Sequence, residues 1–386
     1  MIAEMPEISQ KLLSFGAGRL FVGALDILLR ETNFCEDSCQ QAAERCVSCL
    51  GLFTKAGKPG AKDLLKQQGS LDALQLASQL GRGGKVEEAA AENVVYMLEL
   101  TEIPIVFEQL LGNTPPFTEA GIRGCLHAVQ EIAAGVEEDA DLMKLPAILL
   151  VLLKLHERAP PLQCRGKCMK AVCSVVCSLA PRAGPGELES LDLALSLLVE
   201  QLRQTPDPVD EHGNMSAGKD LLEVLVESLG KVALAHSSWR KSLISCGIPD
   251  VMSTRMPALH KDRRLTKYCF WLAAALAGLP FVMQELQANM SQESIVDASF
   301  CTIIDILDDD VEGEWMLSAV RDLPQESVPQ VLRLVIEAMT RHSDDDMVQS
   351  RGCHCIALLI RLTSLTHLVA EHVVEQVLSA GMATLR

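Results

Sequence analysis

Cys164, Cys168, Cys173 and Cys177 are, by type and spacing, the residues of this chain best suited to hold a metal ion. Four thiolates gather Zn²⁺ when they converge on a tetrahedron. At about 100° per residue, Cys164 and Cys168 share one helix face and Cys173 and Cys177 point nearly opposite. A single continuous helix therefore cannot assemble the site, and buried structural thiols, acting as small hydrophobes, are the expected role. Cys46-Val-Ser-Cys49 has redox spacing. Redox pairs of this kind follow a strand and open a helix, whereas this one lies inside a helical pattern.

Other constellations fail on their own chemistry. Gly81-Arg-Gly-Gly-Lys85 approaches a phosphate loop, but Gln79 stands where the first Gly belongs and Val86 follows the Lys. Acidic runs occur at Glu137–Asp139, at Asp308–Asp310 with Glu312 and Glu314, and at Asp344–Asp346. A calcium loop begun at Asp308 would put Ala319 where a bidentate Glu is needed. Asp344–Asp346 precede a helix near Met347, where carboxylates cap free N–H groups. His127 and His354 fall at different positions of two similar helices, which argues against a shared ligand role. No catalytic set, cofactor or metal site is expected.

One segment breaks an acidic background. Between Trp239 and Lys267 stand seven cations (Arg240, Lys241, Arg255, Lys261, Arg263, Arg264, Lys267) against Asp250 and Asp262. Arg240, Lys241, Arg263, Arg264 and Lys267 are the candidate binding residues, suited to an acidic or phosphorylated partner. The alternative is a solvated turn at His260 to Arg264.

These residues need elements to position them, and the elements are helices. Apolar residues make up 48% of the 386 and aromatics only 4%, a Leu/Ala/Val composition that suits packed helices over sheets. The net charge of −17 argues against nucleic acid and anionic membrane as partners. No secretory signal and no apolar run of membrane-spanning length is seen, and fourteen cysteines without a framework point to reduced thiols in cytoplasm or nucleus. From Ala120 to Ala133, apolar groups fall at Ile122, Cys125, Leu126, Val129, Ile132 and Ala133, one face of a helix.

That helix recurs. Arg123-Gly-Cys-Leu-His-Ala-Val129 is similar to Arg351-Gly-Cys-His-Cys-Ile-Ala-Leu358 and to Arg165-Gly-Lys-Cys-Met-Lys-Ala-Val172, with looser versions at Ala43–Leu50 and Lys267–Ala273. Cys125 and Cys168 are 43 apart and Cys269 and Cys353 are 84 apart, so the period is near 42. A second unit joins two apolar helices through a Gly: Leu12 to Leu20, Leu64 to Leu74, Leu243 to Met252, and Val377 to Met382. Together, with Met347-Val-Gln-Ser-Arg-Gly-Cys-His-Cys-Ile-Ala-Leu-Leu359 closest, these units resemble the armadillo repeat over most of the chain. HEAT repeats share the period, and 81–112 and 290–335 depart from the pattern.

The resemblance implies an all-α, armadillo-like right-handed superhelix (an α-solenoid) of roughly eight to nine degenerate repeats. Repeats are expected over 1–204 and 220–386 as one continuous solenoid, with 205–219 an exposed loop. The resemblance also implies a non-catalytic scaffold or adaptor that receives a protein or peptide in a concave groove. It does not imply nuclear import, because Trp239, Trp271 and Trp315 are followed four residues later by Leu243, Ala275 and Ala319, not by Asn. An armadillo segment of a larger signalling protein is the alternative, and an unrecognised helical enzyme a remote one. The chain reads as beginning and ending inside a repeat, with an apolar face on the helix from His367 to Leu378, so self-association through uncapped ends is also expected.

Overall fold

A computed structural model of the chain describes residues 6–30, 37–55, 60–79, 84–110, 118–158, 162–205, 218–259, 262–308 and 328–363. Among these residues every regular element is a helix, and no strand occurs. They form two compact units, Met1–Leu179 and Ala180–Arg386. The division lies in the Pro/Gly-rich turn after Leu179, earlier than the loop expected at 205–219, of which 206–217 lie outside the described residues.

The first unit contains α1 (Pro6–Ser14), α2 (Ala17–Arg30), α3 (Asp37–Lys55), α4 (Ala61–Gln67), α5 (Ser70–Ser78), α6 (Lys85–Met97), α7 (Ile103–Leu110), α8 (Glu119–Gly135), α9 (Asp139–Leu142), α10 (Leu145–Glu157) and α11 (Leu162–Leu179). Four long helices pack side by side in chain order, α3 on α6, α6 on α8 and α8 on α11. A second row backs them, with α2 and α5 behind α3 and α6, and α10 behind α11.

The second unit contains α12 (Glu189–Gln204), α13 (Lys219–Ala235), α14 (Ser237–Ser245), α15 (Ile248–Leu259), α16 (Arg263–Ala277), α17 (Leu279–Ala288), α18 (Glu293–Leu307), α19 (Val328–Arg341) and α20 (Asp346–Thr363). The plan repeats: α13, α16, α18 and α20 stack in order, backed by α12, α15, α17 and α19.

The recurring Arg-Gly has a physical reason. A Cβ on Gly124 would stand 2.0 Å from the Glu88 carbonyl oxygen, so only Gly lets α8 lie this close to α6. A Cβ on Gly352 of α20 would instead meet side chains, those of Met339 and Phe300, so this close approach is to flexible groups and not to backbone. The preceding Arg reaches back one helix to an acid: Arg123 to Glu88 at 3.1 Å, and Arg351 to Asp297. Lys167 of the third version also reaches Glu88, at 2.6 Å. Gly166 meets nothing within 4 Å, so this version keeps the residue without the close approach.

Small polar and thiol side chains fill the same seams and donate to carbonyls of the preceding helix. Asn93 Nδ2 donates to Val47, Cys125 Sγ to Ala91, Ser174 and Ser178 Oγ to Gln130 and Ala133, and Cys355 Sγ to Phe300. The alignment of Cys125 with Cys353 does not survive. Cys125 is fully buried, Cys353 is exposed, and Cys355 occupies the buried seam. Two residues on a helix are about 200° apart, so a two-residue offset exchanges inside for outside.

The Gly-linked helix pairs do form. Gly16, Gly69 and Gly247 take φ of 86°, 81° and 79° between α1 and α2, α4 and α5, and α14 and α15. The fourth pair, at 377–382, lies outside the described residues, as do the helix expected at 367–378, Trp315, and the acidic cluster beyond Asp308. The segment 81–112, which departs from the repeat pattern, carries α6 and α7, and 290–308 carries α18. Asp345 Oδ1 accepts from the N–H groups of Met347 and Val348, both at 2.9 Å, the capping role expected of this acidic run. No helix among the described residues is long and apolar enough to cross a membrane.

Candidate functional site

The basic segment divides between two neighbouring helices. Arg240 and Lys241 lie on α14, the former half-buried and the latter exposed. Arg264 and Lys267 lie in the first turns of α16. The side chains of Arg255 and Arg263 and all of Lys261 lie outside what is described. The described cations of α16 have neighbours of their own. Arg264 stands 3.7 Å from Glu223 and donates to the Tyr268 hydroxyl at 3.2 Å, and Lys267 Nζ sits 4.3 Å from the Trp271 ring centroid. Asp262, the one acid at the start of this helix, caps it through Leu265 N–H and pairs with Lys219. Burial raises its cost of ionisation, but the Lys219 contact outweighs that and holds its carboxyl below the ordinary value. Trp239, one of the tryptophans weighed for an import-type ladder, is buried, with Nε1 donating to Ala183 at 2.7 Å.

α11 runs unbroken through all four of its cysteines. Cys164 Sγ faces the Glu119 carbonyl on α8 and Cys168 Sγ the Leu152 carbonyl on α10. Burial pushes the Cys164 thiol up to about 11 and that of Cys168 up to about 12, so both remain protonated and packed. Cys46 and Cys49 lie within α3, and burial raises both thiols.

A cluster that the sequence reading did not assemble lies on the stacked face of the first unit. Glu92 and Tyr96 of α6, His127 and Glu131 of α8, and Lys55 at the end of α3 converge there. α6 and α8 each contribute two residues four apart, which share one face. The signal was present as Glu88/Glu92/Tyr96 and Arg123/His127/Glu131, two i, i+4, i+8 series, but the register joining them depends on how α6 packs on α8.

Glu92, His127 and Glu131 offer ligand atoms all within 4.8 Å of one another. His127 Nδ1 is 3.5 Å from Glu92 Oε1, close to the edge of a tetrahedron around a Zn-sized ion, roughly 3.4 Å for 2.1 Å bonds. Lys55 already supplies the cation: its Nζ lies 3.1 Å from Glu92 and 3.3 Å from Glu131. The trio therefore reads as an ion-pair cluster. Burial disfavours the Lys55 ammonium, but hydrogen bonds to Glu92 and Tyr96 prevail and raise it well above its ordinary range. Burial and the Glu131 hydrogen bond raise the Tyr96 phenol, and the Tyr96 hydrogen bond lowers Glu131. Lys55, Tyr96 and Glu131 are thus driven further into their ordinary charge states, the opposite of what proton exchange by these three near neutral pH requires.

Beside this cluster opens a groove of about 680 Å³. Its lining includes the apolar Leu98, Leu100, Ile132 and Val136, of which Leu98 is buried and the other three half-buried, and the acidic Glu99, Glu137, Glu138 and Asp141, of which the first three are exposed. The last turns of α3, α6 and α8 and the segment leading into α9 position these groups. Ile132, expected on the core face of its helix, is half-buried and lines the groove instead.

Comparison with protein-family models gives no match, and comparison with curated proteins gives none either. Among solved structures, the chain is similar to a crystal structure of an engineered protein, at 14% identity over 93% of each chain and a TM-score of 0.44. That likeness is too low to carry an argument, and the reading of the chain rests on its own geometry.

Proposed function

We propose that the chain is a non-catalytic protein-interaction scaffold or adaptor, built as an armadillo-like right-handed α-solenoid, that receives a peptide or protein segment in a groove between stacked helices. The groove beside α3, α6 and α8 carries this reading. It has a mixed lining of half-buried aliphatic and exposed acidic side chains and a volume within the roughly 300–1,000 Å³ of sites that hold small ligands and anchor side chains. The repeated seams, with Gly at the close approach and an Arg reaching one helix back, support the repeat architecture. The locked charge states of Lys55, Tyr96 and Glu131 favour binding over catalysis. The basic segment on α14 and α16 is a second surface, for an anionic partner, though its described α16 cations are already partly engaged.

Selection from a random peptide library tests the groove. The folded chain should enrich a recognisable peptide class, and the Ile132→Arg variant, shown by circular dichroism to be folded, should lose it. Enrichment of nothing, or of the same peptides by both chains, counts against a peptide-binding groove at this place.

A further inference from the structure

We infer that the groove of the first unit takes a cationic peptide segment, one that seats an aliphatic side chain against the aliphatic lining between flanking Lys or Arg residues. The inference rests on the scaffold reading and adds the chemistry of the partner. The groove is lined by five carboxylates, Glu99, Glu131, Glu137, Glu138 and Asp141, against two ammonium groups, Lys55 and Lys62. Two of the five are already answered. Glu131 holds Lys55 and the Tyr96 hydroxyl, and Asp141 holds Lys144 at 2.6 Å. Glu99, Glu137 and Glu138 are exposed and form no ion pair within 4 Å among the described residues, although the Lys144 ammonium held by Asp141 also feels Glu99 and Glu138. The excess of carboxylates over ammonium groups, and not complete isolation of these three, is what a partner meets.

These three decide the sign of the partner. A neutral or acidic segment laid over them would strip water from carboxylates and return nothing, or would add repulsion. A segment with Lys or Arg at those places answers them and is drawn in faster. Charge alone would not hold it, because exposed ion pairs contribute little. The aliphatic lining supplies the rest: Leu100, Ile132 and Val136 are half-buried and available to an apolar anchor. The Tyr96 ring cannot take the ligand's cation, because Lys55 Nζ sits 4.4 Å from its centroid. The peptide's charges are thereby directed to the Glu99, Glu137 and Glu138 side.

The test must separate this groove from the general pull of a chain of net charge −17. Three fluorescent six-residue peptides serve as probes: two leucines flanked on each side by one Arg and one Lys, the same with Glu in place of the cations, and the same with Ser. The cationic peptide should bind the whole chain with Kd on the order of 1–100 μM at low salt, weakening about tenfold between 50 and 300 mM salt. Glu99→Lys, Glu137→Lys and Glu138→Lys together should weaken it at least about tenfold, roughly 1.4 kcal/mol. A charge-matched triple change in the second unit, Asp220→Lys, Asp250→Lys and Glu337→Lys, should leave it within about twofold, far less than that 1.4 kcal/mol. Circular dichroism checks that both variants are folded.

Equal loss in the two triples would overturn the inference, since it would mean bulk attraction. Failure of the cationic peptide to bind by about 1 mM, an affinity near −4 kcal/mol, would overturn it too. If the Glu or Ser peptide binds as tightly and loses affinity in Ile132→Arg, the cationic partner is wrong while the groove and the scaffold reading stand. The scaffold reading at this groove falls only if the library selection also returns no groove-dependent peptide.

Discussion

Glu88 carries cations from two different helices, Arg123 of α8 and Lys167 of α11, and so ties three stacked helices together. Burial opposes its ionisation, but the Lys167 and Arg123 hydrogen bonds prevail and hold the carboxyl below its ordinary value. A depressed carboxylate stabilises the fold above its unfolded-state pKa and loses that contribution as pH falls through the folded one. Glu88→Gln should therefore cost more stability at pH 6 than near pH 3, measured by urea unfolding at each pH. An unchanged cost would mean that the two ion pairs contribute nothing. The thiols make a second residue-scale test. Burial pushes Cys125 up to about 12 and Cys301 up to about 11, while Cys246 and Cys353 are exposed. Iodoacetamide at pH 7.5 should label Cys246 and Cys353 well before Cys125 and Cys168, read by peptide mass spectrometry. Labelling of Cys125 at the rate of Cys246 would contradict the packing of α8 on α6.

At the scale of elements, two glycines of the repeated motif should behave oppositely. Gly124→Ala drives a methyl against the Glu88 carbonyl, which neither backbone can yield cheaply, and should destabilise by about 1–3 kcal/mol or more. Gly166→Ala, on α11 with open space around it, should stabilise by about 0.4–1 kcal/mol through lower chain entropy and better helix propensity. Thermal melts of the two variants decide it, and a shared sign would show that the α6–α8 seam is not as close as described. Leu126 and Leu358 are both buried in stacked helices, and truncating either to Ala should cost about 2–5 kcal/mol.

The two compact units set where such damage appears. In a stack of helices each element contacts its neighbours, so stability is a sum of local terms. Hydrogen exchange should rise across Met1–Leu179 in Leu126→Ala and across Ala180–Arg386 in Leu358→Ala, each with little change in the other unit. Uniform loosening of the whole chain by either variant would mean that the units unfold as one. The far-ultraviolet circular dichroism of the whole chain should show mostly helix, well above the roughly one third of an average globular protein.

Much of this was legible in the residues. Period-3.6 patterning placed helices, the Arg-Gly pairs at 123–124 and 351–352 marked two close seams while that at 165–166 did not, and Gly16, Gly69 and Gly247 marked three turns, because these are local properties of covalent geometry and helical pitch. The continuous α11 follows from the same pitch and keeps its four cysteines from converging. What the sequence could not yield was the pairing of faces across helices. Glu92, His127 and Glu131 stand 35 and 4 residues apart, and the packing of α3 and α8 against α6 decides that they meet Lys55. The groove is of the same kind: Ile132 is a core residue by pattern, yet it lines the groove with Leu100 and Val136 because, among the described residues, no helix covers them at the ends of α6 and α8. Local propensity repeats along a chain, but a site is made by translation and rotation between elements, and those are fixed by packing.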